Sequence, residues 1–276
     1  MRFKLNLYKT FGNEIPINYQ YPLSAAIYRI LNKGDAEYAS FLHEKGYGKG
    51  YKFFTFSDVQ GKFRRKEDRL QLVDNSLELI ICFHLPEASR TFIEGLFRSQ
   101  EIVIADQKSK ATFKVQSIVS LKNPLQGNDE LEITQILVRP LSMVVSGEKN
   151  DNGKYKFLDP DDLRFGNALL YNWKNKITAS FGEKDSEESI LMIEVEKYKK
   201  PWRSRLVTIK ANTDAETKIK GYLNFKLRLT AERRYLDLIL NAGMGLYSAQ
   251  GMGCLEVVSC RIFENNLKEK ADSVKQ

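Results

Sequence analysis

The segment AGMGLYSAQGMGC carries Gly243, Gly245, Gly251 and Gly253 around a centre of small residues, Ser248 and Ala249. It lacks the Gly-Lys-Ser/Thr ending of a nucleotide-phosphate loop. It follows a helical pattern and precedes a strand, the reverse of the order in a dinucleotide fingerprint. Two readings fit it equally. One is a helix C-cap, for which Gly243 suffices, followed by a hairpin. The other is a loop whose missing side chains let the backbone lie against a phosphate chain, with its N–H groups as donors.

His43 stands at the end of a short helical stretch, just before a loop bearing Gly46, Gly48, Gly50 and several lysines. The negative end of a helix dipole favours imidazolium there, and the mouth of a loop suits proton transfer. Taken alone it is also an ordinary surface histidine. Tyr28 lies about 100° round its helix from Ile27, at the edge of the apolar stripe, where a tyrosine packs its ring and wets its hydroxyl. Lys52 alternates with Phe54 and Phe56, as a lysine snorkelling over a half-buried sheet would. His84 shares a strand face with Glu78, Ile80 and Cys82 and reads as a packed or solvated histidine bordering an inter-domain cleft.

Residues 197–210, KYKKPWRSRLVTIK, hold six basic side chains and no acidic one, with Tyr198 and Trp202 interleaved. Cations that pair with phosphates and flat rings that stack on bases are what single-stranded RNA sites use. Lys199, Lys200, Trp202, Arg203 and Arg205 are the candidate contacts; the alternative is an exposed basic loop with Trp202 in the core. The GKFRRKEDR stretch is less specific, since its acidic residues dilute its charge.

The elements that must position these groups follow from hydrophobic spacing. Phe3, Leu5 and Leu7 alternate as one face of a strand over 2–8. Leu23, Ala26, Ile27, Ile30 and Leu31 form one stripe of a helix over 22–33. Asp35 caps a second short helix. Strands are expected at 51–56 and at 77–85, the latter with a wholly apolar face. A helix from Pro86 to Phe97 buries Phe92, Ile93, Leu96 and Phe97, and strands follow at 101–104 and 112–121. This order is β-α-β-β-α-β, the split βαβ arrangement. After the loop 122–128 come strands at 131–138 and 143–145, a helix over 160–178, and strands at 190–197, 206–210 and 219–229. Thr230 then caps a helix over 231–241, with Gly243 past its end, and a last strand runs 254–263. The expected fold is α+β, two tandem ferredoxin-like (RRM-like) domains at 1–122 and 129–264, with a frayed tail at 265–276. The first carries Tyr28, His43 and Lys52, and the second carries the Gly-rich loop.

A length of 276 residues suits two domains, and Lys plus Arg at 43 against Asp plus Glu at 35 gives a net charge of +8, which favours a polyanionic partner. Three cysteines without a CxxC pair and only two histidines speak against a structural zinc or a disulfide framework. No carboxylate cluster suggests a two-metal site, so neither metal nor cofactor is expected. MRFKLNLYK lacks the apolar core of a signal peptide, and no stretch is long and apolar enough to span a bilayer. A soluble, reduced, cytoplasmic protein with no membrane association is expected.

Three stretches together resemble the CRISPR-associated endoribonucleases that cut repeat RNA, the Cas family numbered six in the RAMP superfamily. They are YPLSAAIYRIL, YASFLHEKGYGKGYKFFTFS and GMGLYSAQGMGCLEV. The resemblance implies two ferredoxin-like domains in tandem, in agreement with the order above. It places the family's catalytic tyrosine on Tyr28, its histidine on His43 and its lysine on Lys52, with Lys45 or Lys49 as alternative cations. It implies metal-independent cleavage of precursor RNA within repeats to give guide RNAs: the 2′-hydroxyl attacks the scissile phosphate and leaves a 2′,3′-cyclic phosphate and a 5′-hydroxyl. Its implied partners are the repeat RNA and other CRISPR-associated proteins of an interference complex, with the protein itself a monomer or homodimer. The alternative is a non-catalytic RNA-binding subunit of such a complex.

Overall fold

The computed structural model describes residues 1–125, 127, 129–196, 202–210, 214 and 216–262. The first half runs β1 (Arg2–Phe11), β2 (Glu14–Pro16), α1 (Gln20–Gly34), α2 (Ala36–Glu44), β3 (Phe54–Phe56), β4 (Phe63–Lys66), β5 (Arg69–Leu72), β6 (Ser76–Phe83), α3 (Pro86–Arg98), β7 (Glu101–Ala105) and β8 (Lys110–Leu121). The second half runs β9 (Ile133–Pro140), β10 (Ser146–Lys149), β11 (Tyr155–Leu158), α4 (Phe165–Phe181), α5 (Glu183–Glu188), β12 (Met192–Glu196), β13 (Arg203–Ile209), β14 (Thr217–Leu223), β15 (Lys226–Glu232), α6 (Arg233–Ala242) and β16 (Leu255–Ile262).

The first sheet has the order β3-β6-β1-β8-β7, which is the ferredoxin-like order with β7 added outside β8. Leu5 and Leu7 of β1, and Leu79, Ile81 and Phe83 of β6, are fully buried on the face covered by α1 and α3. The second sheet, β12-β15-β9-β16, repeats the arrangement, with Trp173 and Ile177 of α4 and Leu236 and Ile239 of α6 packed on Ile136, Val138, Leu227 and Leu229. Two hairpins are inserted in this half. β10-β11 stands between β9 and α4, and β13-β14 between β12 and β15. The chain is thus two tandem ferredoxin-like units of α+β type.

Four local expectations are corrected. The pattern over 219–229 is two strands, because Asn224 turns the chain with φ +53° between β14 and β15. Thr230 caps no helix: it lies in β15, paired with Met192 and Gln135, and α6 starts three residues later. Phe97 is 81% exposed, since the buried stripe of α3 is Ala88, Phe92 and Leu96 and the next residue turns away from it. The strand expected from Tyr51 begins only at Phe54, because Phe53 takes a left-handed φ of +48°. The expected tail lies outside the described residues.

Candidate active site

Helix α2 delivers His43. The Asp35 carboxylate accepts the Tyr38 amide at 2.9 Å as its N-cap, and His43 falls in its last turn, exposed to solvent. No protein group has to move before a substrate reaches the imidazole. Helix α1 delivers Tyr28 at the margin of its buried stripe, half-buried, with its ring edge-to-face against His43 at 5.1 Å between centroids. On its other side Tyr28 meets Phe54 at 5.5 Å, so packing on β3 fixes the phenol in place. Burial raises its pKa above the ordinary phenol range, and the hydroxyl stays protonated at neutral pH.

Lys52 reaches back across the loop and donates its ammonium to the main-chain carbonyl of His43 at 2.9 Å. That carbonyl belongs to the last turn of α2, where the helix dipole is negative. The lysine is half-buried and its pKa is lowered by burial. Tyr28, His43 and Lys52 therefore meet at one place. Of the two alternative cations, Lys49 is turned to the second unit, donating to Asn175 at 2.8 Å, and Lys45 is the exposed C-cap residue of α2.

The Gly-rich loop closes on this group from the other unit. Gly243, Gly245, Gly251 and Gly253 all have positive φ and are all buried. The amide of Gly243 donates to Ile239, that of Gly251 to Ser248 and that of Gly253 to Met143. The reading of these amides as donors to a phosphate chain is therefore corrected at three positions, where they are occupied inside the protein. What the glycines permit is close approach: a Cβ on Gly251 would lie 2.1 Å from the Phe56 ring, and one on Gly253 would lie 2.0 Å from the Met244 carbonyl oxygen. The loop so folded presents a 3-10 turn, Ser248–Gln250, against β3 and α1, and Ser24 of α1 donates to the Ala249 carbonyl at 2.7 Å.

Sequence reasoning passed over the group that holds this loop from beneath. Lys176 of α4 is only 2% exposed, and its ammonium donates to the carbonyls of Gly243 and Gly245 and to the Ser248 hydroxyl at 3.0 Å. Burial lowers its pKa to about 7. A signal was present: in the stripe Phe165, Leu169, Trp173, Ile177, position 176 lies on the buried side, where a lysine needs partners.

The remaining candidates are dispersed. Lys199 and Lys200 lie outside the described residues. Arg203 is exposed. Trp202 is half-buried, donating its indole N–H to Asp161 at 2.5 Å with its ring edge-on to Phe225. Arg205 is drawn inward to Asp58 at 2.9 Å and to the Ile17 carbonyl at 3.0 Å. His84 is half-buried between the units, with Nε2 3.0 Å from the Ser180 hydroxyl, and burial lowers its pKa to about 4. Among the described residues no group of His, Cys, Asp and Glu could hold a metal, and no helix is long and apolar enough to cross a membrane.

From Lys52 a cleft of about 830 Å³ runs between the loop 49–53, helix α4, hairpin β10-β11 and the Gly-rich loop. The arrangement offers a proton-transfer group open to solvent, a fixed neutral phenol, and cations beside a groove.

Two family models match the chain. One, "CRISPR-associated protein Cas6, N-terminal", covers residues 14–118, and the other, "CRISPR associated protein Cas6, C-terminal", covers residues 126–257. The chain is 31% identical over 186 residues to the CRISPR-associated endoribonuclease Cas6 1 of Methanocaldococcus jannaschii, covering 67% of this chain and 68% of that protein. It is 24% identical over 205 residues to the CRISPR-associated endoribonuclease Cas6 of Pyrococcus furiosus, covering 72% of each. Among solved structures, a "CRISPR associated protein Cas6" superposes with a TM-score of 0.69 at 23% identity, over 94% of this chain and 99% of that one. A Cas6-related protein from Pyrococcus furiosus superposes with a TM-score of 0.74 at 20% identity, over 94% and 98%.

Proposed function

Since this chain belongs to the Cas6 family of CRISPR-associated proteins, we propose that it is an endoribonuclease that processes CRISPR repeat RNA by metal-independent transesterification. The observation that carries the reading is the meeting of Tyr28, His43 and Lys52, of which Lys52 also lines a cationic cleft. A 2′-hydroxyl is a poor nucleophile at neutral pH. It needs a base to take its proton, and the departing 5′-oxygen needs a proton in return. His43 takes the 2′-hydroxyl proton, because Tyr28 is held in its protonated form by burial. The 2′-oxygen then bonds to phosphorus, the bond from phosphorus to the 5′-oxygen breaks, and that oxygen takes a proton from solvent to leave as a hydroxyl, while the protonated His43 returns its own proton to solvent. The products are a 2′,3′-cyclic phosphate and a 5′-hydroxyl. Tyr28 orients the ribose by hydrogen bonding, and the Lys52 ammonium stabilises charge growing on the non-bridging oxygens.

The test uses a 5′-labelled repeat RNA in EDTA, with a single 2′-deoxy substitution and His43→Ala as parallel arms. Cleavage at one position that survives EDTA and is lost in both arms is the expected result. Tight binding without cleavage by the wild-type protein would instead support an RNA-binding subunit of a ribonucleoprotein complex.

A further inference from the structure

Away from Lys52, the cleft is walled by aromatic rings from four separate segments: Tyr51, Tyr171 of α4, Tyr155 of β11 and Tyr247 of the Gly-rich loop. Tyr155 and Tyr247 meet edge-to-face, with centroids 6.1 Å apart, and Tyr155 is backed by Phe157. Lys149 holds its ammonium 5.7 Å from the centre of the Tyr155 ring, and Lys49 holds its own 5.9 Å from that of Tyr171. The carboxylate in the lining, Glu148, is paired with Arg164 at 3.1 Å. Rings with cations at their margins are what hold unpaired nucleotides: bases stack on the faces and phosphates follow the lysines. The space takes a nucleotide or a dinucleotide and excludes a double helix.

A second observation points to a ligand edge. Asn172 is only 7% exposed, lies in the lining, and its Oδ1 has no hydrogen-bond partner among the described residues. The same holds for Oε1 of Gln250 on the facing loop. Buried amide oxygens are ordinarily paired. Rotation of either side chain into the cleft brings its oxygen to a base with an exocyclic amino group, which supplies the missing N–H donor. Uracil sets its single N–H between two carbonyl oxygens, which repel the same acceptors.

We infer that this cleft is the pocket for an unpaired nucleobase adjoining the scissile phosphate, stacked on Tyr155 and selected by Asn172 for an exocyclic amino group. The inference rests on the endoribonuclease reading and adds to it a place and a class of base.

The experiment uses the repeat RNA with a 2′-deoxy residue at the cut, so that it binds without being cleaved, and with 2-aminopurine at successive positions on either side. At one position beside the cut, binding is expected to quench the fluorophore by stacking. Tyr155→Ala abolishes that quench and weakens binding about tenfold or more, and Tyr155→Phe, which keeps the ring, keeps it. At that position, replacing an amino-bearing base with uracil weakens binding to the wild-type protein on the order of tenfold, whereas Asn172→Ala binds both RNAs alike. No quench at any position, a quench indifferent to Tyr155, or equal acceptance of uracil by the wild-type protein overturns the inference while leaving cleavage standing. A wild-type protein that neither binds nor cuts the unmodified repeat overturns the endoribonuclease reading, and the pocket with it.

Discussion

A phenol and an imidazole packed edge to face cannot serve interchangeably when one of them is held protonated. Burial keeps the Tyr28 hydroxyl above its ordinary range, and on the proposed mechanism His43 is the base. His43→Ala is expected to slow cleavage by about 10²- to 10⁴-fold with little change in RNA affinity, measured by gel shift against the cleavage time course. Lys176 makes a different use of a proton. Its folded pKa is about 7 against an ordinary 10.5. Between those values the unfolded chain binds more protons than the folded one, so this residue makes stability rise with pH, by up to about 1.4 kcal/mol per unit. Lys176→Met loses this slope together with the hydrogen bonds to the Gly243 and Gly245 carbonyls and the Ser248 hydroxyl. The gap in unfolding free energy between wild type and variant should therefore widen from pH 7 to 10, and a constant gap would refute the assignment.

The elements around these residues were legible wherever one face is buried and the period is plain. The alternation of Phe3, Leu5 and Leu7 and the stripe from Leu23 to Leu31 both became what their spacing implied. Legibility failed where a single backbone angle redirected an unbroken pattern, as at Phe53 and Asn224, or where an aromatic ring fell one residue off the stripe, as Phe97 did. The Gly-rich loop stood between those cases. Its glycines pointed to unusual backbone, but whether that backbone faces a ligand or the protein depends on neighbours distant in sequence, such as Phe56 and Met143. Gly251→Ala tests that account. The new Cβ would meet the Phe56 ring at 2.1 Å on a backbone at φ +77°, and the cost in urea unfolding is expected to be about 2 kcal/mol or more. Gly153→Ala is the matched comparison, with φ +72° and nothing within 4 Å of its Cβ. It should cost only the conformational strain, about 1 kcal/mol. Equal costs would mean that the loop is not closely packed. Because the Ser248–Gln250 turn rests on α1 near Tyr28, only the first variant should also slow cleavage.

At the scale of the whole molecule, the two units must hold a fixed relation, because the cleft takes its walls from both. Tyr19 and Arg205 converge on the Asp58 carboxylate at 2.7 and 2.9 Å, and the guanidinium lies 5.2 Å from the centre of the Tyr19 ring. Arg205 belongs to β13 and is 147 residues from Asp58, so no local spacing could have announced the pair. Sequence alone placed Arg205 in a basic run and read it as a phosphate contact. The two roles make opposite predictions. A phosphate contact, when removed, lowers the dependence of RNA affinity on salt by about one unit in log–log slope, and removing Asp58 would free the arginine and strengthen binding. An inter-unit clamp behaves otherwise. Its side chains are each 22% exposed, so breaking it costs less than a fully buried pair, about 2 kcal/mol, and either partner alone exacts most of that cost. The clamp is the expected result: Asp58→Ala and Arg205→Ala each lower unfolding free energy by similar amounts, and the double variant by much less than their sum. The salt slope of RNA binding stays near the wild-type value in both. An Arg205→Ala protein of undiminished stability with a shallower salt slope would return Arg205 to the RNA and leave the cleft geometry to contacts such as Thr55–Met252, Arg2–Leu255 and Ser24–Ala249.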